Sequence, residues 1–362
     1  MSAVRLPDPA AELRATALRT VRGVNYWSTR PVTRLDLAVG AYDEISSADA
    51  PGATEALCAT LPGLVEHHCS VGERGGFITR LRRGTYAPHI VEHVALELQC
   101  AIGHVVGYGR TRGGDAPGEY TVVLEHRHAG VGVRAATLAL DIVRRAFAGR
   151  ASAVAGALTE LRAIAASPDV PRPGRHVWCA ITGGAARAET VREVARRGLG
   201  ALGAGVDVVD VAPARILEEG LPYARSELAI ILDAEPVDVP PRYRERDRAC
   251  RLVATLAHAV RRGGVVVLPA GERDVAAMAR EAGCQVAWLA TERAPAPGDL
   301  RGAWAVARVE GGRIVLERDG ARVDGGALRG DTPPGAQAAA ALACLALRAR
   351  DTWPAVEAAA DA

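Results

Sequence analysis

The 362-residue sequence predicts an α+β domain followed by an α/β domain built on a parallel sheet. Two patterns lead there and a third separates them. Before residue 167, two strand-like runs flank a helical one, and two more helical stretches follow. After residue 175, short apolar strands alternate with amphipathic helices, the pattern of a doubly wound sheet. Between the two, Pro168, Pro171 and Pro173 fall within six residues, which forbids regular helix and favours an extended tether. The predicted division is a domain over 1–166, a linker over 167–175, a second domain over 176–352 and a tail over 353–362.

In chain order, 34–39 and 120–125 read as strands on either side of a helix over 88–102. Helices over 131–148 and 151–165 complete the first half. The second half offers strands over 176–181, 206–211, 228–232 and 264–268, with helices over 188–197 and 245–262. The runs 303–309 and 313–317, joined by Glu310-Gly311-Gly312, predict a hairpin, and a last helix covers 335–349. No internal repeat is visible.

Composition removes several functions. With 44 basic and 42 acidic residues the formal charge is +2, which gives no argument for nucleic-acid binding. No apolar run approaches the ~20 residues of a membrane span, and the start lacks a signal-peptide core, so a cytoplasmic protein is expected. The seven cysteines are scattered with no C-x-x-C pair, as reduced structural thiols are. All 44 basic residues are arginine, so a phosphate-loop lysine, a Schiff base and a lysine general base are absent from the sequence. Of nine histidines, seven lie between His67 and His128, which places any metal or acid–base site in the first half.

The most specific motif is His89-Ile90-Val91-Glu92-His93, an inverted zinc-peptidase pattern, H-x-x-E-H. Pro88 suits the first turn of its helix, and residues four apart share a face, so both imidazoles reach one ion. His89, Glu92, His93, Glu97 and Gln99 fall on one arc, with Leu96 and Cys100 inside it, as a partly buried pocket wall requires. A divalent metal, with zinc expected, would lower the pKa of a water whose proton Glu92 takes, for attack on an amide carbonyl. The third ligand has to come from elsewhere: Glu66 or His67 first, Glu125 at a strand end second. A hydrogen-bonded cluster without metal is the alternative reading of the same residues. Arg110 and Arg112, on the glycine-rich stretch Gly107–Gly114, offer two guanidinium forks on a flexible loop, and Arg74 stands near Gly75-Gly76. Together with Glu97 these are the expected substrate contacts, against the reading of a solvated surface turn. Asn25-Tyr26-Trp27 reads as core packing ahead of an aromatic wall for an extended ligand.

Five runs carry a family resemblance: Arg22-Gly23-Val24-Asn25-Tyr26-Trp27-Ser28, the stretch from Leu61 to Ser70, Gly72 to Phe77, His89 to Gln99, and Gly107 to Arg112. Over roughly 20–150 the sequence resembles the N-terminal domain of cyanophycin synthetase. That family joins this domain to an ATP-grasp ligase and a Mur-ligase-like domain, and builds a poly-aspartate chain bearing arginine on its side chains. The resemblance implies a metallopeptidase-like site at the H-x-x-E-H run, an aspartate–arginine polymer or related peptide as substrate, and homo-oligomers. A full-length synthetase is a further implied partner.

The second half resembles the Mur-ligase part over Asp210 to Leu221 and Gly263 to Ala270, so a Mur-ligase-like sheet is expected there. Four features depart from the family. The linker stands where the ATP-grasp domain would be. Thr182-Gly183-Gly184-Ala185-Ala186-Arg187-Ala188-Glu189 replaces the family's T-G-T-N-G-K-T-T, losing the lysine and the magnesium-binding hydroxyl. Leu232 to Asp238 lacks the family's histidine, and Pro213-Ala214-Arg215 replaces Arg-Gly-Gly. ATP is therefore not an expected cofactor, and the second domain is expected to be a degenerate scaffold or a dimerisation domain. The expected function is hydrolysis of the polymer in the first domain. The alternative is a non-catalytic relative that binds the polymer or a partner ligase.

Overall fold

The computed structural model describes residues 6–171, 173–202, 206–291, 300, 302–330 and 332–349. They form two compact units. One comprises the described residues up to Val21 and from Arg30 to Pro171; the other takes Arg22–Thr29 and the described residues from Pro173 onward.

The first unit runs α1 (Pro9–Glu12), β1 (Arg14–Val21), β2 (Val32–Ala38), α2 (Ala53–Thr60), α3 (Gly76–Arg83), α4 (Ala87–Cys100), β3 (Gly109–Gly113), β4 (Glu119–Glu125), α5 (Ala129–Phe147) and α6 (Ala155–Ala165). Its four strands form an antiparallel sheet in the order β1-β2-β4-β3. Leu35 and Leu37 of β2 and Val122 and Leu124 of β4 share one core with Ile90, Val94 and Leu98 of α4 and Val131, Ala135 and Ala139 of α5. Period-two and helical apolar faces thus meet in a single α+β layer pair.

Helix α4 is built to be interior. Extended Tyr86 leads into it, Pro88 sits in the first turn, and its buried residues run from Ala87 to Gln99 with only His89 half-exposed. Burial of Ile90, Val91, Val94 and Leu98 supplies roughly 1.5–3 kcal/mol each. A Schellman turn ends it: Gly103 takes φ +93°, its N–H donates to Cys100 O, and the His104 N–H donates to Gln99 O.

The second unit runs β5 (His176–Thr182), α7 (Arg187–Leu202), β6 (Val208–Asp210), α8 (Pro213–Glu218), β7 (Arg225–Ile231), α9 (Arg246–Ala259), β8 (Val260–Pro269), α10 (Arg273–Ala276), β9 (Gln285–Ala290), β10 (Ala305–Glu310), β11 (Arg313–Arg318), β12 (Ala321–Ala327) and α11 (Pro334–Ala349). The sheet order is β12-β11-β10-β9-β8-β7-β5-β6, parallel from β6 to β10 and antiparallel from β10 to β12. Val265, Val266, Val267 and Leu268 are all fully buried, as a parallel strand covered on both faces demands. The unit is α/β, and β10–β11 is the expected hairpin.

Several expectations change. Residues 22–29 belong with the second unit: Arg22 N donates to Glu219 O, Leu221 N donates to Val24 O, and Tyr26 and Trp27 stack edge-on against Tyr243. A Cβ on Gly220 would lie 1.9 Å from Arg22 O, so glycine is what lets the strap approach. The aromatic pair is therefore packing. The start of the expected linker is not a free tether either. Asp169 Oδ1 accepts the Ala129 N–H at the start of α5, and His128 Nε2 contacts Ser167 O. Helix α9 stops at Ala259, and 260–262, expected as helix, open strand β8. The tail over 353–362 lies outside the described residues. Among the described residues, no helix is long and apolar enough to cross a membrane.

Candidate functional site

The first unit encloses a cavity of about 770 Å³ whose walls include His67, Cys69, His89, Glu92, His93 and Glu97. Two come from the loop of short 3-10 turns before α3, and four from α4. One turn of helix separates His89 from His93, so their rings meet edge-on with centroids 4.8 Å apart. Phe77 of α3 stacks on His93 at 3.9 Å and 19°, fixing its plane.

Each imidazole is held by its Nδ1. Thr85 Oγ1 lies 2.9 Å from His89 Nδ1, and His67 Nδ1 lies 2.9 Å from His93 Nδ1. His89 Nε2 faces Cys69 Sγ at 3.4 Å. Cys69 is a non-glycine residue at φ +54°, an uncommon backbone state, so it is the loop that sets the thiol against α4. Among the described residues, Cys69, His89 and His93 are the set whose ligand atoms all lie within 4.8 Å of one another. Burial, helped by the Arg80 charge, lowers His89 to about 4; burial, with His89 and His67 nearby, lowers His93 to about 2. Both rings are neutral at pH 7 and keep a lone pair. Two neutral imidazoles and a cysteine sulfur converge here, a donor set that fits a zinc-type cation.

Glu92 stands next to this set. Burial pushes its carboxyl up to about 7, against the opposing Thr111 hydrogen bond and the charge of Arg112. Thr111 Oγ1 donates to Glu92 Oε2 at 2.6 Å. A Cβ on Gly109 would lie 2.7 Å from Glu92 Cγ and Oε1, so Gly109 gives the carboxylate its room. Gly63 does the same for Glu97, whose Oε1 would lie 1.9 Å from an added Cβ.

The three residues expected to complete a ligand set are placed otherwise. Glu66 is exposed and chelated by Arg74, at 2.5 and 2.7 Å, which lowers its carboxyl and directs it to the cavity rim. Glu125 is satisfied by Arg30 at 2.8 Å and by the Gly107 and Tyr108 N–H groups; burial raises its carboxyl, but these donors outweigh it and the net shift is downward. His67 lines the cavity but spends its nitrogens on His93 and on Glu97 Oε2, the latter at 3.0 Å. Cys69, whose spacing predicts a structural role, is the third member of the convergent set. Its only sequence signal was its position in the Leu61–Ser70 run.

The glycine-rich stretch is not a flexible loop but edge strand β3, hydrogen-bonded to β4. Strand alternation turns Gly109 and Thr111 toward α4 and sets Arg110 and Arg112 on the other face, off the cavity wall. Arg74 is committed to Glu66. Of the expected substrate contacts, Glu97 alone lines the cavity.

In the second unit, the Thr182-Gly183-Gly184 turn is filled by the chain itself. Asp233 Oδ1 accepts the Gly184 N–H at 2.8 Å, while Arg187 donates to Gly183 O and pairs with Asp210.

Residues 34–148 match the family model of the cyanophycin synthase-like N-terminal domain. Every residue of the cavity just described lies inside that match. Cyanophycin synthetase of Synechocystis sp. is 50% identical over 129 residues, 34% of this chain and 14% of that protein. The Crocosphaera subtropica synthetase is 48% identical over 129 residues, 34% of this chain and 15% of that protein. The match thus spans about one seventh of these relatives' length. Among solved structures, MurF from Acinetobacter baumannii aligns with TM-score 0.33 and 15% identity, over 49% of this chain and 44% of that one. A pseudomurein peptide ligase type C from Methanothermus fervidus aligns with TM-score 0.32 and 12% identity, over 48% and 47%. The α/β class of the second unit rests on its own strand order.

Proposed function

We propose that the first unit is a metal-dependent amide hydrolase acting on a cyanophycin-like aspartate–arginine polymer or a related peptide, and that the second unit does not ligate with ATP. The observation that carries the reading is the convergence of Cys69, His89 and His93 beside buried Glu92 in one cavity. A divalent cation, zinc by the donor set, supplies Lewis acidity that lowers the pKa of a water and polarises an amide carbonyl. The chain's own residues do the rest. Cys69, His89 and His93 would hold the cation. Glu92 receives the water's proton at Oε1, the oxygen that Thr111 leaves open, and returns it to the departing amine. A carboxyl pushed up to about 7 suits both transfers at neutral pH. The match of residues 34–148 to the cyanophycin synthase-like N-terminal domain supports that substrate class, and second copies of the chain or a synthetase are the proposed partners.

Loss of ligase activity is supported by the filled turn: the Gly184 N–H that a phosphate would use is bonded to Asp233, and no lysine exists to replace it. The same erosion favours, as a second reading, a chain that binds the polymer or a ligase without cleaving it. Metal analysis of the purified protein tests the first reading. Near-stoichiometric zinc in wild type and its loss in His89→Ala support a hydrolase; absence of metal in wild type leaves the binding reading.

A further inference from the structure

One chain of contacts in the cavity lies outside the hydrolytic roles. Glu97 Oε2 is 3.0 Å from His67 Nε2, and His67 Nδ1 is 2.9 Å from His93 Nδ1. A carboxylate oxygen accepts, so His67 Nε2 carries the proton. Coordination of a cation through His93 Nε2 requires the His93 ring proton on Nδ1, and the acceptor within reach of that N–H is His67 Nδ1, with the His67 ring proton on Nε2 toward Glu97. In that arrangement the single ring proton of buried, neutral His93 is used on Nδ1. Its Nε2 is left bare.

We infer that Glu97 and His67 are positioning residues that lock His93 in the Nδ1–H tautomer and so present its Nε2 lone pair to a cation held with Cys69 and His89. The inference rests on the metal reading above and concerns how the chain prepares that site. Three features support it. His89 is held in the same sense, with Thr85 on Nδ1 and the thiol on the Nε2 side. The His67 and Glu97 side chains are 13% and 11% exposed, so water competes little for their bond. Gly63 leaves the space that brings Glu97 to His67, and Phe77 keeps the His93 ring from turning out of line. An outer partner of this kind sets both ring orientation and ligand basicity.

The test is Zn²⁺ affinity of the full chain, measured by competition with a chromophoric chelator, with thermal melts to confirm folding. His93→Ala should abolish binding. His67→Leu removes the acceptor for His93 Nδ1–H and should weaken binding by about 10- to 100-fold. His67→Gln restores an acceptor carbonyl and should recover most of that loss, which a general packing role for His67 would not predict. Glu97→Ala frees the His67 tautomer and should cost less than His67→Leu. Binding as weak in His67→Gln as in His93→Ala would make His67 a ligand and overturn the inference. Wild-type affinity in His67→Leu would overturn it alone, whereas no Zn²⁺ binding by wild type would overturn the metal reading and take the inference with it.

Discussion

Replacing Glu92 with glutamine should stabilise the metal-free protein, and by more at high pH than at low. Burial raises the Glu92 carboxyl from an ordinary 4.5 to about 7. Between those values the native chain keeps a proton that the unfolded chain has released, so stability present below pH 4.5 is lost as pH rises through 7. At about 1.4 kcal/mol per pKa unit, the full cost is roughly 3 kcal/mol, most of it developed between pH 5 and pH 8. Glutamine has nearly the same shape, cannot ionise, and its carbonyl still accepts from Thr111. Urea unfolding in the presence of a chelator, at pH 5 and at pH 8, measures the effect. The advantage of Glu92→Gln over wild type should grow by roughly 2–3 kcal/mol across that range. An advantage that stays constant, or shrinks, would show that Glu92 is not held in a desolvated site. The reasoning for a base tuned to neutral pH would then fail.

Other outcomes follow from the same cavity. His89 lies at about 4, below its ordinary 6.5, so its contribution to stability is present above 6.5 and lost as pH falls through 4. Chelator-treated wild type should lose roughly 3 kcal/mol more than His89→Gln between pH 7 and pH 4 in the same urea assay. Gly109→Ala places a Cβ 2.7 Å from Glu92 Cγ and Oε1, so the carboxylate must retreat by a good fraction of an ångström. Steady-state hydrolysis should then fall by about 10- to 100-fold while zinc content is unchanged. Millimolar ATP with magnesium should leave the melting temperature of the chain where it was, because Asp233 and Arg187 already fill the turn; a clear upward shift would restore a nucleotide site.

What the sequence disclosed depended on periodicity and local spacing. Helix α4 was legible because Pro88 marks its start and the H-x-x-E-H spacing is helical. The apolar strands β5, β7 and β8 were legible because both faces are buried. Strand β1 was not: Arg14–Val21 has no run of buried residues, and a bulge between Ala15 and Ala17 breaks its alternation. Strand β3 hid behind its bounding glycines and two arginines, which have the composition of a turn. The third member of the Cys69, His89 and His93 cluster was missed for a different reason. Cys69 reaches His89 through a left-handed backbone conformation and two successive short 3-10 turns, and neither leaves a spacing to read. The contact of Tyr26 with Tyr243 crosses more than two hundred residues, and no local pattern encodes it.

We propose that Glu92 works as a base beside a cation held by Cys69, His89 and His93. The most direct measurement is release of small peptides from cyanophycin, followed by mass spectrometry, for zinc-loaded wild type and zinc-loaded Glu92→Gln. Wild type should release them, and Glu92→Gln should lose at least about 100-fold, with zinc retained in both. No release by zinc-loaded wild type, or equal release by the two proteins, would contradict it.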